Sequence, residues 1–113
     1  MRLVSFLNDG RASWGAVRGD GVVDLGRRLA DIGSVQALVE GGEGAMARAR
    51  AALEGAAADA PLASVRLLMP IPAPRKVFCI GVNYANRNAE HNDGSELPEY
   101  PSLFTRVADS LAA

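Results

Sequence analysis

The chain has 113 residues, of which 49% are hydrophobic, 22% charged and 5% aromatic, a globular composition too apolar for a disordered tail and too charged for a membrane span. Twelve Lys and Arg against thirteen Asp and Glu give a formal net charge of −1, which removes any general attraction to nucleic acid or acidic lipid. One cysteine, Cys79, and one histidine, His91, exclude an internal disulfide framework and a Cys/His zinc site within one copy, and point to a cytoplasmic chain.

Three short runs open the sequence, Leu3 to Leu7, Ala12 to Val17 and Val22 to Leu25. Asn8-Asp9-Gly10 and Gly19-Asp20-Gly21 separate them and supply the positive φ values that tight hairpins need, so a three-stranded meander is predicted. A meander needs a covering layer. Ser34 is a natural N-cap for Val35-Gln36-Ala37-Leu38-Val39, whose apolar residues fall at helical spacing before Gly41-Gly42. A second, alanine-rich helix is predicted from about Glu43 to Ala58, with Met46, Ala49 and Leu53 as a narrow apolar stripe. Ala60-Pro61 ends it, and Pro70, Pro72 and Pro74 punctuate an extended stretch from Val65 to Arg75. The domain boundary is placed here, with residues 1–70 as a small N-terminal α+β domain and 71–113 as the beginning of a second one.

Lys76-Val77-Phe78-Cys79-Ile80-Gly81-Val82 then reads as a strand buried on both faces, with Cys79 as a small core hydrophobe. Gly81 carries no nucleotide-binding motif and reads as a close backbone turn. Residues 83 to 91 have the composition of a short helix, and Ser102-Leu103-Phe104-Thr105 of a second strand. Two strands and a short helix bury too little to stand alone, so the second core reads as truncated. Glu90 and His91 are a carboxylate and an imidazole just beyond a strand end, a candidate acid/base pair, although sequence neighbours do not face each other on a helix. Arg106, at the end of the second strand, is a candidate carboxylate clamp.

The segment Pro74-Arg75-Lys76-Val77-Phe78-Cys79-Ile80-Gly81-Val82-Asn83-Tyr84, the later Glu90, and Pro98-Glu99-Tyr100-Pro101-Ser102-Leu103-Phe104-Thr105-Arg106 resemble the fumarylacetoacetate hydrolase family. The hairpins, helices and proline-rich connection before them resemble that family's small N-terminal domain. The resemblance implies an α+β chain whose second part contributes the first strands of a mixed β-roll catalytic domain. It implies a Mg²⁺ or Mn²⁺ ion whose ligands lie beyond residue 113, a 2-oxo or 1,3-dioxo acid substrate, no nucleic-acid or membrane partner, and a homodimer. In hydrolytic members a histidine three residues after the tyrosine, paired with a glutamate three further on, activates water. Glu90 matches the glutamate, whereas Arg87 occupies the histidine position.

A guanidinium stays protonated and takes no proton from water, so the usual pair is absent. Two readings follow from the same residues. His91, one helical turn after Arg87, takes over as base beside Glu90, or Arg87 binds a substrate carboxylate together with Tyr84 and Arg106 while the reaction is an isomerisation or decarboxylation. The expected activity is cleavage of a C–C bond in an acylpyruvate-like acid, with a 2-hydroxy-dienoate isomerase or 2-oxo acid decarboxylase as the alternative. A chain serving only subunit packing, inactive by itself, is the reading from another class.

Overall fold

The computed structural model describes residues 1–81, 94 and 99–111. Strand β1 (Arg2–Asn8) and β2 (Arg11–Arg18) pair antiparallel in a register that sets Asn8 opposite Arg11. The two residues between them, Asp9 and Gly10, both take positive φ, 49° and 77°, which is the twist-matched two-residue hairpin that Asp-Gly favours. Strand β3 (Gly21–Asp24) follows the Gly19 turn, where φ is 60°.

The meander is the centre of a larger sheet. Strand β5 (Arg66–Leu68) pairs with β1, and the two-residue β4 (Ala60–Pro61) pairs with β3, giving the antiparallel order β4-β3-β2-β1-β5. Thus only Arg66–Leu68 of the predicted extended stretch is strand. The third strand also stops one residue earlier than predicted. Asp24 accepts a hydrogen bond from the Arg27 backbone N–H (3.0 Å), an N-cap that turns Leu25 into the first residue of a short helix, α1 (Leu25–Arg28).

Helix α2 (Val35–Glu40) begins at the predicted cap, with Ser34 Oγ accepting from the Ala37 N–H at 3.0 Å. Helix α3 spans Gly42–Leu53 and ends five residues before the predicted Ala58. Glu54 is already extended, Gly55 takes φ 69°, and the Arg18 guanidinium donates to the carbonyls of Leu53 (2.7 Å) and Ala56 (2.6 Å). Terminal carbonyls left over by a helix need such partners, and a cationic donor suits the negative end of the helix.

Alternation along the strands divides the apolar residues between the two faces of the sheet. Trp14, Ala16, Val23 and Leu25 pack with Ile32, Val35, Leu38 and Ala49 under the helices, while Phe6, Val22 and Val65 form a smaller cluster. Trp14 is 2% exposed and its indole N–H donates to the Ile32 carbonyl at 2.7 Å, so its polar atom is satisfied inside the core. The alanine stripe of α3 contributes Ala49, fully buried, with Met46 and Leu53 packed beside it.

Met1–Pro72 forms one compact unit, and a second begins at Ala73, inside the run that contains Pro70, Pro72 and Pro74. Strands β6 (Val77–Gly81) and β7 (Ser102–Arg106) of the second unit form a separate two-stranded antiparallel sheet. The class is α+β, a β-meander with covering helices followed by the strands of a second element. Among the described residues, no helix is long and apolar enough to cross a membrane.

Candidate functional site

Val77, Phe78 and Ile80 favour the extended backbone by β-branching and aromatic bulk, as do Phe104 and Thr105 on the partner strand. The register sets Val77 opposite Arg106, Cys79 opposite Phe104 and Gly81 opposite Ser102. One face therefore carries Val77, Cys79, Gly81, Ser102, Phe104 and Arg106, and the other carries Phe78, Ile80, Leu103 and Thr105.

The first of these strands is not buried on both faces as predicted. Phe78 is 58% exposed, Ile80 56% and Leu103 67%, and Cys79 is half-buried rather than core. The reason is that β6 has one hydrogen-bonded neighbour, β7, among the described residues, and two strands cannot enclose both of their own faces. The turn expected at Gly81 would involve residues 82 onward, which lie outside the described residues. Gly81 itself is the last paired residue of β6, and a Cβ there would meet Phe104 Cε1 at 3.6 Å and Ser102 Cβ at 3.7 Å, ordinary contact distances.

Of the five candidate residues, the structure places Arg106. Tyr84, Arg87, Glu90 and His91 lie outside the described residues, which leave β6 at Gly81, three residues before Tyr84. Arg106 is exposed and stands at the far end of the hairpin. Four ladder positions separate its partner Val77 from Gly81, about 13 Å at ~3.3 Å per residue. Its guanidinium lies over the Phe104 ring, 5.4 Å from the centroid, within the range of a cation–π contact. Phe104 is the neighbour that sequence reasoning passed over. The signal was available, since residues two apart on a strand share a face.

Among the described residues, the densest polar cluster lies elsewhere, in the first unit. Ser13 Oγ donates to Asp24 Oδ1 at 2.6 Å, and the Asp59 carboxylate accepts from the Asp24 backbone N–H at 2.7 Å and from both terminal nitrogens of Arg28. Hydrogen bonding from Arg28, opposed by partial burial, holds the Asp59 carboxyl below its ordinary range, and the same bond raises the Arg28 guanidinium. Each carboxylate in the cluster is occupied by a cap or an ion pair, so the group works as a clasp between β3, α1 and the segment at Asp59. Beside it a cavity of about 300 Å³ is lined by Asn8, Asp9, Arg11, Ser13, Asp24 and Arg27.

No three His, Cys, Asp or Glu side chains converge into a metal-binding group among the described residues. The Mg²⁺ or Mn²⁺ expected from the resemblance thus finds no fitting ligand set there.

No family model matches the chain. Its similarity is to individual proteins. Oxaloacetate tautomerase Fahd2a, mitochondrial, of Rattus norvegicus is 33% identical over 116 aligned positions, covering 98% of this chain and 36% of that protein. Fumarylacetoacetate hydrolase domain-containing protein 2 of Pongo abelii is 33% identical over 73 residues, 65% of this chain and 23% of that protein. The crystal structure of a Mycobacterium smegmatis protein assigned as HpcE superposes with a TM-score of 0.65 at 33% identity, covering 94% of this chain and 36% of the other. The chain belongs to the fumarylacetoacetate hydrolase family. Its α+β architecture matches that fold neighbour. Within the family, the chain spans about a third of the length of the rat relative. Its scaffold is shared with proteins named as tautomerases of oxaloacetate, which are enzymes of this family.

Proposed function

We propose that the chain is part of an enzyme that interconverts the enol and keto forms of oxaloacetate or a closely similar 2-oxo dicarboxylic acid. One observation carries this reading: the residue that stands where hydrolytic members of the family have their water-activating histidine is Arg87. The name oxaloacetate tautomerase on the rat relative supports the same direction.

Tautomerisation consumes no water. The enol oxygen gives up a proton, C3 of the substrate receives one, and a 2-oxo group results with no change of oxidation state. The reaction asks for a proton carrier and for fixed positive charge against two carboxylates. A carboxylate or imidazole can carry the proton, and Glu90 is assigned to that role, with the neighbouring His91 as the alternative carrier. Arg87 and Arg106 present planar, permanently charged forks suited to carboxylates, and the Tyr84 hydroxyl donates to the substrate oxygen.

Hydrolytic cleavage of the C–C bond in an acylpyruvate-like acid is the second reading, favoured by the match of Glu90 to the glutamate of the hydrolytic pair. A Mg²⁺ or Mn²⁺ ion belongs to either reading with ligands from beyond residue 113, and no step above depends on it. A homodimer, a cytoplasmic location and the absence of nucleic-acid or membrane partners complete the proposal.

The test is the loss of enol absorbance of oxaloacetate with and without the full-length protein that contains this chain, in the presence and absence of Mg²⁺ or Mn²⁺. Acceleration over buffer that falls by roughly 10²–10⁴-fold in Glu90→Gln supports the reading. A rate equal to buffer under every condition, from protein whose circular dichroism is that of a folded α+β chain, overturns it. Pyruvate release from acetylpyruvate without oxaloacetate tautomerisation would favour the second reading instead.

A further inference from the structure

We infer that Phe104 is the positioning residue for Arg106, drawing its guanidinium back along β7 toward Gly81 and presenting the N–H edge of the fork to a substrate carboxylate. The substrate half of this inference rests on the reading of the preceding subsection, and the stacking half does not.

Backbone pairing alone puts Arg106 at the wrong end of the hairpin, opposite Val77 and four ladder positions from the point where the chain enters the Gly-x-Asn-Tyr segment. A long side chain standing straight off the sheet would stay there. Instead Arg106 Cζ lies 5.4 Å from the centroid of Phe104, two residues closer to Gly81 along the same face. The ring itself leans the same way, because its Cε1 is 3.6 Å from where a Cβ on Gly81 would stand. A single aromatic ring therefore bridges from the Gly81 end of β6 to the guanidinium.

The chemistry of the contact suits this role. A guanidinium held over an aromatic face has more N–H donors than that contact uses, which leaves donors available for the two oxygens of a carboxylate. Fixing the plane before the anion arrives reduces the rotamer freedom that a long exposed side chain gives up on binding. Lysine at position 106 would keep the charge and lose both the stacking plane and the fork.

Two measurements on the full-length protein that contains this chain test the inference. In ¹H–¹³C and ¹H–¹⁵N spectra, the Arg106 side-chain δ-methylene protons should be shifted upfield by the Phe104 ring current, should return to random-coil positions in Phe104→Leu, and should stay shifted in Phe104→Tyr. Titration with oxaloacetate should move the Arg106 Nε–H resonance, with a dissociation constant raised roughly two- to fivefold in Phe104→Leu, the weight of an exposed cation–π contact, and restored in Phe104→Tyr. No upfield shift in the unsubstituted protein overturns the positioning role. Equal weakening by leucine and tyrosine also overturns it, because shape rather than the ring face would then be what matters. A ring-current shift that persists when oxaloacetate leaves Arg106 unmoved overturns the substrate half, whereas intact stacking and oxaloacetate binding without tautomerisation fail the preceding reading alone.

Discussion

Replacing Gly15 by alanine is expected to come close to unfolding the first unit. Gly15 lies in the middle of β2, paired with Val4 on one side and Asp24 on the other. A Cβ there would sit 2.0 Å from the Val23 carbonyl oxygen and 3.0 Å from its carbon, both backbone atoms that cannot rotate away. Ordinary contact lies near 3.4 Å, so β2 and β3 would have to part by more than an ångström. Parting them strains the pairs Gly15–Asp24 and Ala16–Val23, and two buried backbone groups left without partners cost about 1–3 kcal/mol each. A net loss of ~3–5 kcal/mol follows, against a total of ~4–11 kcal/mol for a unit the size of Met1–Pro72. The midpoint of thermal unfolding should fall by at least ~12 °C, taking ~4–8 °C per kcal/mol. Fluorescence of Trp14, the single tryptophan and 2% exposed, reports this unit specifically. Gly44→Ala is the control, since Gly44 lies inside α3, has nothing within 4 Å of its Cβ position, and should gain about 0.5–1 kcal/mol. A Gly15→Ala protein within about 1 kcal/mol of wild type in urea melts would refute the close-approach argument.

Three further outcomes are expected. Ser34→Ala removes the oxygen that accepts from the Ala37 N–H and should cost about 1 kcal/mol, while Ser34→Asp keeps the cap and most of the stability, as read by thermal melts. The folded pKa of Asp59 lies below its unfolded value because Arg28 hydrogen-bonds the carboxylate, so its stabilisation is complete above the unfolded value near ~3.9 and disappears as pH falls through the folded one. Asp59→Asn should then be ~1–2 kcal/mol less stable at neutral pH, allowing for the partial exposure of the pair, and should show a shallower acid limb in urea melts between pH 5 and pH 2. His91→Gln should change the kcat of oxaloacetate tautomerisation less than about threefold, because a base four residues along the chain from the position that Arg87 occupies rarely reaches the same point. A loss in the ~10²–10⁴-fold range of a general base would instead assign the proton to His91.

The first unit was readable wherever one residue type answers a local geometric demand. Asp9-Gly10 demanded a two-residue hairpin, and Ser34 a helix start, and both stand where the sequence puts them. What escaped was decided by partners distant in sequence. The end of α3 is the first case: its local mark is Gly55, and the Leu53 carbonyl accepts from the Arg18 side chain on β2 as well as from the Ala56 N–H. In the same way Arg66–Leu68 reads only as a proline-flanked extended stretch until β1 offers it an edge. Asp24 was ambiguous between continuing a strand and capping a helix, and Ser13 and Asp59, eleven and thirty-five residues away, hold it in the second role.

For Arg106, the end of a strand was legible in the sequence and the direction of that strand's pairing was not. Gly81 and Ser102 are joined by twenty residues, a connection long enough for parallel or antiparallel pairing, since a parallel crossover needs only about a dozen. Parallel pairing of the same two strands would set Arg106 beside Gly81 and make a carboxylate clamp there self-evident. The observed antiparallel register sets it beside Val77. An arginine with that backbone position serves the Gly81 end only if something bends its side chain back along the strand. Phe104, on the same face and one step nearer, is the group in contact with it. The pattern Phe-x-Arg therefore holds more information than the arginine alone, because the aromatic residue decides toward which end of the hairpin the charge is presented.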